Sequence, residues 1–269
     1  MVLIGANESH VGLAGDWHGD TRWAMHALKM FAQNRIRTVL HVGDFGIWPG
    51  PSGAKYLRKV DRQLADLNQI LVITPGNHEW YEKLERIEVS GDGLQRLTPR
   101  IIFLPRGYRW DWRGWKFLSL GGAPSVDFEV RKQGVSWWPQ EAITMGDVYR
   151  IQEGVEQRGT VDVMITHDAP KNVIAIKNAI KDNPFGFSEK GLQYAAEGRE
   201  LLHAAWESAQ PELLFHGHYH IPVDEVVEGT GFSSRIVGLD REYQHGNLAS
   251  LSLDDLSVAL LPLRESVSV

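Results

Sequence analysis

No cysteine occurs anywhere in the 269 residues. That excludes disulfides, thiolate metal ligands and a nucleophilic thiol. Any metal must be held by His, Asp, Glu or Asn, a donor set suited to hard or borderline divalent ions and not to iron–sulfur clusters. Apolar runs are short as well, and none approaches the roughly 20 residues of a membrane-spanning helix. The N-terminus lacks the basic-then-apolar layout of a secretory signal, so the expected location is the cytoplasm, with no membrane partner. Positive charge is scarce: 28 Lys and Arg stand against 34 Asp and Glu, a formal net charge of −6. No broad field therefore attracts nucleic acid, and an anionic substrate needs a local positive source. No composition break, linker or internal repeat divides the chain, and residues 1–269 are expected to form a single domain.

What the chain does contain is a series of apolar runs, each stopped by a residue that binds metals or moves protons. Thr38-Val39-Leu40-His41-Val42 ends at Gly43-Asp44, which reads as a buried strand delivering a carboxylate to a sheet edge. Just before it, residues 20–34 place Ala24, Ala27, Leu28 and Phe31 on one helix face. A helix followed by a continuous apolar strand indicates an α/β layer, where function collects at the carboxyl ends of strands. Val11 to Gly15 runs into Asp16-Trp17-His18-Gly19. Residues two apart in an extended segment project to the same side, so Asp16 and His18 are expected to reach one cation. The competing reading makes Asp16 a turn former or helix cap and His18 a surface residue. Ile70 to Thr74 stops at Pro75-Gly76-Asn77-His78-Glu79, Val161 to Thr166 stops at His167-Asp168, and Leu213 to Phe215 stops at His216-Gly217-His218-Tyr219-His220. Of the last three histidines, His218 and His220 form the expected pair, and His216 is read as structural.

The intervening segments supply the frame. Residues 54–69 carry Leu57, Val60, Leu64 and Leu67 at helical spacing. Residues 100–120 hold three short apolar runs separated by Pro/Gly turns and are expected to form an antiparallel meander, with their aromatics in the core and not serving as a base-stacking platform. The loop 121–140, containing Asp127, Arg131, Trp137 and Trp138, is placed beside a cleft, and Thr144 to Asp147 reads as a helix start. Residues 171–187 read as a surface excursion, 188–209 as a helix, and the tail beyond 223 as hairpins finishing a second sheet. The predicted architecture is α/β: two mixed β-sheets packed as a sandwich flanked by helices.

Taken in order, Asp16-x-His18, Gly43-Asp44, Gly76-Asn77-His78-Glu79, His167 and Gly217-His218-x-His220 resemble the blocks of the calcineurin-like metallophosphoesterases across residues 16–220. The resemblance implies a four-layer αββα fold and two divalent metal ions. One ion would take Asp16, His18, Asp44 and His220; the other would take Asp44, Asn77, His167 and His218, with Asp44 as the bridge. It also implies phosphoester hydrolysis through a metal-bridging hydroxide in line with the leaving group, with His78 as the catalytic residue that protonates the leaving oxygen or stabilises its charge. Mn is the expected metal, and Fe or Zn suit the same donors. His10, His26, His41, His203, His216 and His245 match no block and are read as structural.

With only two carboxylates among seven ligands, two divalent ions leave a cationic centre, the local positive source that the net charge fails to supply. The substrate is less tightly implied. In the phosphoprotein phosphatase branch the second block continues into an arginine that binds phosphate, whereas here it continues Phe45-Gly46-Ile47-Trp48. The sequence is closer to the compact phosphodiesterase branch, which includes enzymes acting on cyclic nucleotides. A small phosphodiester is the expected substrate and a phosphomonoester the alternative. A non-catalytic scaffold of this fold is the less favoured third reading, because every ligand position and His78 is retained.

Overall fold

The computed structural model describes residues 8–263. The chain first alternates strand and helix: β1 (His10–Ala14), α1 (Thr21–Gln33), β2 (Thr38–His41), α2 (Gly50–Asp66), β3 (Ile70–Ile73), α3 (Tyr81–Glu85). Four strands follow, β4 (Gln95–Arg96), β5 (Ile101–Phe103), β6 (Tyr108–Trp112) and β7 (Trp115–Leu120). Next come α4 (Met145–Arg158), β8 (Val163–Thr166), α5 (Ile174–Ile180), α6 (Glu189–Ala209) and β9 (Leu213–His216). The tail adds β10 (Val223–Glu228), β11 (Ser233–Gly238), β12 (Leu248–Ser252) and β13 (Val258–Leu260). No helix among the described residues is long and apolar enough to cross a membrane.

The strands form two mixed sheets, one of seven in the order β13-β12-β1-β2-β3-β5-β4 and one of six in the order β10-β11-β9-β8-β7-β6. Both are parallel at the centre and antiparallel at the edges. Strand alternation divides the apolar residues between layers. Val11, Leu13, Leu40, Val72 and Ile102 of one sheet meet Phe117, Val163, Ile165 and Phe215 of the other in a central core. On the outer face of the first sheet, Val39, Leu71 and Ile73 pack under α1 and α2. On the outer face of the second, Leu118, Met164 and Leu214 pack under α4 and α6. Helix, sheet, sheet and helix make the four layers, as expected. Central strands buried on both faces explain the near-continuous apolar runs. Truncating one of these side chains, as in Leu13→Ala, costs roughly 2–5 kcal/mol.

Local chemistry sets the element ends. Asp20, not Asp16, caps α1, its carboxylate accepting from Trp23 N at 2.8 Å. Thr144 and Asp147 form the reciprocal capping box expected at the start of α4. Helix α2 begins at Gly50, four residues earlier than the sequence pattern suggested, because Pro51 sits in its first turn, where the missing N–H has no intrahelical partner to lose.

Three expectations need correction. Residues 100–120 are not one meander: β5 runs parallel to β3 in the seven-stranded sheet, and only β6 and β7 form a hairpin, in the other sheet. The uninterrupted run Ile101-Ile102-Phe103-Leu104 serves both faces, since Ile101 and Phe103 pack under the helices while Ile102 and Leu104 enter the central core. The tail likewise divides, with β10 and β11 joining the six-stranded sheet and β12 and β13 the seven-stranded one. The excursion over residues 171–187 contains the short helix α5.

Candidate metal centre

The loops after β1, β2 and β3 in one sheet and after β8 and β9 in the other converge at the sheets' carboxyl edge. They bring Asp16, His18, Asp44, Asn77, His78, His167, His218 and His220 together. Backbone bonds tie loop to loop: Asp16 N donates to Gly43 O at 2.9 Å, His18 N to Asp44 O at 2.8 Å, and Gly217 N to His167 O at 3.1 Å. Glu79, fully buried, spans two loops by accepting from Phe45 N at 2.7 Å and from Gly76 N at 3.0 Å. Burial, followed by the charge on Asp44, raises its pKa to about 8.

The aim of the side chains comes from backbone that few residues adopt. Asp16, His18, Asp44, His218 and His220 all have positive φ, at 53°, 44°, 54°, 69° and 54°. The paired residues Asp16/His18 and His218/His220 therefore do not project together from extended strands, as their spacing suggested. Left-handed turns aim them instead. Such conformations cost on the order of 1–3 kcal/mol each and persist where surrounding structure over-determines them, commonly at functional sites. Glycine lets the loops close. A Cβ at Gly43, whose φ is +109°, would stand 2.3 Å from His167 Nδ1.

Two carboxylates sit at the centre, Asp16 at 0% and Asp44 at 1% exposure. Asp44 turns Oδ1 to His167 Nε2 at 3.3 Å and Oδ2 to His18 Nε2 at 3.5 Å. His220 Nε2 lies 3.4 Å from Asp16 Oδ1. One ligand atom from each of Asp16, His18, Asp44 and His220 falls within 4.8 Å of the others. That is close to the ~4.2 Å between opposite ligands of an ion held at ~2.1 Å. On the other side of Asp44, Asn77 Oδ1 lies 3.0 Å from His167 Nε2, and the rings of His167 and His218 are 5.0 Å apart.

These residues fit divalent cations on several counts. His167 Nδ1 donates to Val42 O at 2.8 Å, which leaves Nε2 directed at Asn77 and Asp44. His18 Nδ1 is held by Glu242 Oε2 at 2.9 Å, so its Nε2 faces Asp44. Asn77 Nδ2 donates to Ser125 Oγ at 3.0 Å, which fixes the amide with its oxygen inward. Anchoring the far side of a ligand in this way is the usual support of a metal site. Asp16 Oδ2 is buried without any hydrogen-bond partner. A buried carboxylate oxygen left bare is costly unless a cation stands against it.

The electrostatics say the same. Burial pulls His18 down, but the hydrogen bonds to Asp44 and Glu242 and the charges of Asp44 and Asp16 outweigh it and push its pKa up to about 10. His167 follows the same balance, burial against Asp44 first, and also reaches about 10. Burial opposes ionisation of Asp44, yet the charges of His167 and His78 hold its carboxyl well below the ordinary range. In the metal-free site, protons on the His18 and His167 imidazoles thus stand against the ionised Asp44. His218, by contrast, is kept neutral by burial and by the charge on His167.

His78 lies outside this cluster, with Nε2 3.9 Å from Asp44 Oδ2 and its backbone N–H donating to Asp44 Oδ1 at 2.8 Å. Burial lowers its pKa, opposed by Asp44 and reinforced by Arg131. His41 and His216, read as structural, are fully buried and neutral, pushed by burial to about 3 and about 4.

Sequence reasoning assigned no role to Arg131 or Glu242. Arg131, from the loop placed beside a cleft, sets its two terminal nitrogens 3.0 and 3.1 Å from the ring nitrogens of His78 and is steered by Asp127 at 2.6 Å. The Asp127/Arg131 spacing of four was visible, but its partner 53 residues away was not. Glu242 lies 224 residues from His18, in a stretch with no metal-binding pattern. A cavity of about 350 Å³ opens from Asp44, Asn77, His78, His218 and His220.

The family model for calcineurin-like phosphoesterases matches residues 9–222. No curated protein sequence matches the chain. Among solved structures, one from Thermus thermophilus has a TM-score of 0.57 at 14% identity, covering 95% of this chain and 99% of that one. A dimetal phosphatase from Danio rerio has a TM-score of 0.52 at 12% identity, covering 95% and 99%.

Proposed function

The chain belongs to the calcineurin-like phosphoesterase family, and from that premise we propose that it is a binuclear metal-dependent hydrolase of a small phosphoester. The observation that carries this reading is the buried pair Asp16 and Asp44 ringed by His18, His167 and His220, with Asp44 offering one oxygen to each side. Asp16, His18, Asp44 and His220 would hold one ion and Asp44, Asn77, His167 and His218 the other, and the solved relative described as a dimetal phosphatase agrees with a two-ion site. When bound, two divalent cations supply Lewis acidity toward phosphoryl oxygens and lower the pKa of the attacking water. Mn, Fe and Zn all suit these donors.

The protein's own groups do the rest. His78 is held low in pKa by burial and by Arg131. An anionic phosphoryl group arriving beside it reverses that sign, so His78 takes up a proton with the substrate and can return it to the leaving oxygen. Arg131 stands where its guanidinium can leave the His78 ring for two phosphoryl oxygens, the bidentate contact that suits this group.

A phosphodiester is the favoured substrate, on the closeness of the Gly217-His218-Tyr219-His220 block to the compact phosphodiesterase branch. A monoester is the second reading, and Arg131 favours it: the cation missing after Asp44 in sequence is supplied from another loop. Rates on bis(4-nitrophenyl) phosphate and on 4-nitrophenyl phosphate, with Mn added, separate the two. Faster turnover of the diester supports the first reading, faster turnover of the monoester the second, and no turnover of either defeats the hydrolase.

A further inference from the structure

The cavity beside the cluster has one wall that the hydrolytic chemistry leaves unused. Besides Asn77 and His218 it is lined by Ile180, Phe185, Phe187, Leu192 and Ile221, with Arg131 and Arg199 as its cations. Leu192 comes from α6 and Ile221 from the loop after β9, while Ile180, Phe185 and Phe187 come from the excursion between β8 and α6, where a surface loop would ordinarily present polar residues. Asn183, with φ 51°, closes that loop on itself: its Nδ2 donates to Phe187 O and its Oδ1 accepts from Phe187 N, both at 2.9 Å. The clasp sits beside the Phe185 and Phe187 rings, which lie 5.8 Å apart in the cavity lining. Phe185 is 72% exposed, so no core requirement accounts for its place there. Also in the lining, Tyr219 Oη donates to Asp168 Oδ1 at 2.5 Å. That carboxylate is engaged and does not repel an incoming anion as a bare one would. The volume falls in the roughly 300–1,000 Å³ range of small-molecule pockets, which are mostly apolar with a few placed polar groups.

We propose that this wall is a specificity subsite for an aromatic or branched aliphatic ester group, so that the substrate is an organic phosphoester carrying such a group, its phosphoryl end at Asp44, His78 and Arg131. The proposal rests on the phosphoester hydrolase reading for the phosphoryl end and on the Phe185–Phe187 clasp for the organic end. Sequence blocks select for metals and attack; the excursion over residues 171–187 selects what is attached to phosphorus.

Binding, not turnover, is the direct test. Phenylphosphonate and methylphosphonate share one phosphonate head, contain no hydrolysable ester, and differ in the aromatic ring. Calorimetric titration of the Mn-loaded protein should show phenylphosphonate binding roughly tenfold or more tightly, as expected for burying one ring. In Phe187→Ala, and separately in Phe185→Ala, that advantage should fall below about threefold by loss of the same contact area. Both residues are outside the core, so the variants are expected to fold. Equal affinities in the wild type, or an advantage that survives both substitutions, would overturn the subsite. Because the probes are not hydrolysed, a protein that binds phenylphosphonate selectively yet turns over no ester would refute the hydrolase reading while leaving the subsite standing.

Discussion

Arg131 lays its guanidinium against His78, Nη1 to Nδ1 at 3.0 Å and Nη2 to Nε2 at 3.1 Å. Burial and the Arg131 charge favour the neutral His78 ring, and an anion arriving beside the pair would favour its protonated form instead. In the proposed reading, the pair joins the phosphoryl-binding role to the proton-transfer role.

If Arg131 receives the phosphoryl group, Arg131→Ala should lower kcat/KM for a monoester roughly 10- to 100-fold, the loss of a charge-assisted hydrogen bond. A diester, with one charge fewer, should lose less. Arg131→Lys should recover only part, since lysine cannot make the bidentate contact. Steady-state kinetics on paired nitrophenyl esters read this directly. Equal losses on both esters would mean that Arg131 acts only by supporting His78.

Removing His78 should separate acid from ligand. His78→Ala should keep its metal content and lose ~10²- to 10⁴-fold in rate on alkyl esters, whose alkoxide needs a proton. Nitrophenyl esters should lose less, because nitrophenolate departs unprotonated. A uniform loss would remove His78 as general acid, and loss of metal would make it a ligand.

The residues that the candidate site brings together were legible because each stands where an apolar strand stops, and a buried strand end is visible as a break in hydrophobicity. How they are aimed was not: the spacing of Asp16 and His18 suggested an extended segment, whereas both residues are left-handed. Pairing over long separations was also invisible, which hid Glu242 behind His18 and Arg131 beside His78. The same limit explains β5. Its four consecutive apolar residues marked burial on two faces, but nothing local said which sheet it joined.

Metal binding should be proton-linked. His18 and His167 hold their protons up to about 10 in the metal-free protein, so at pH 8 filling the site should release two protons. Affinity should accordingly rise with pH, about tenfold per unit for each proton released. Calorimetry in buffers of different ionisation enthalpy counts the protons, and a count near zero would contradict the assignment of both ligands.

Acid should destabilise the metal-free fold partly through His216. Burial holds it near a pKa of about 4 against an ordinary 6.5. The unfolded chain takes the proton below 6.5 while the fold refuses it, so this contribution is complete above pH 6.5 and is lost as pH falls toward 4. The loss is on the order of 3 kcal/mol. His216→Asn keeps a donor for the Gly217 carbonyl without the titration, and urea unfolding from pH 7 to 4.5 should show a shallower decline. An unchanged decline would exclude His216 as a source.

In the proposed reading Asp44 is shared between two ions, and metal content reports on that sharing. Elemental analysis of protein purified with Mn should find two ions per chain in the wild type, with both ions and turnover lost together in Asp44→Ala. A folded Asp44→Ala protein that retains two ions and wild-type turnover would contradict the account.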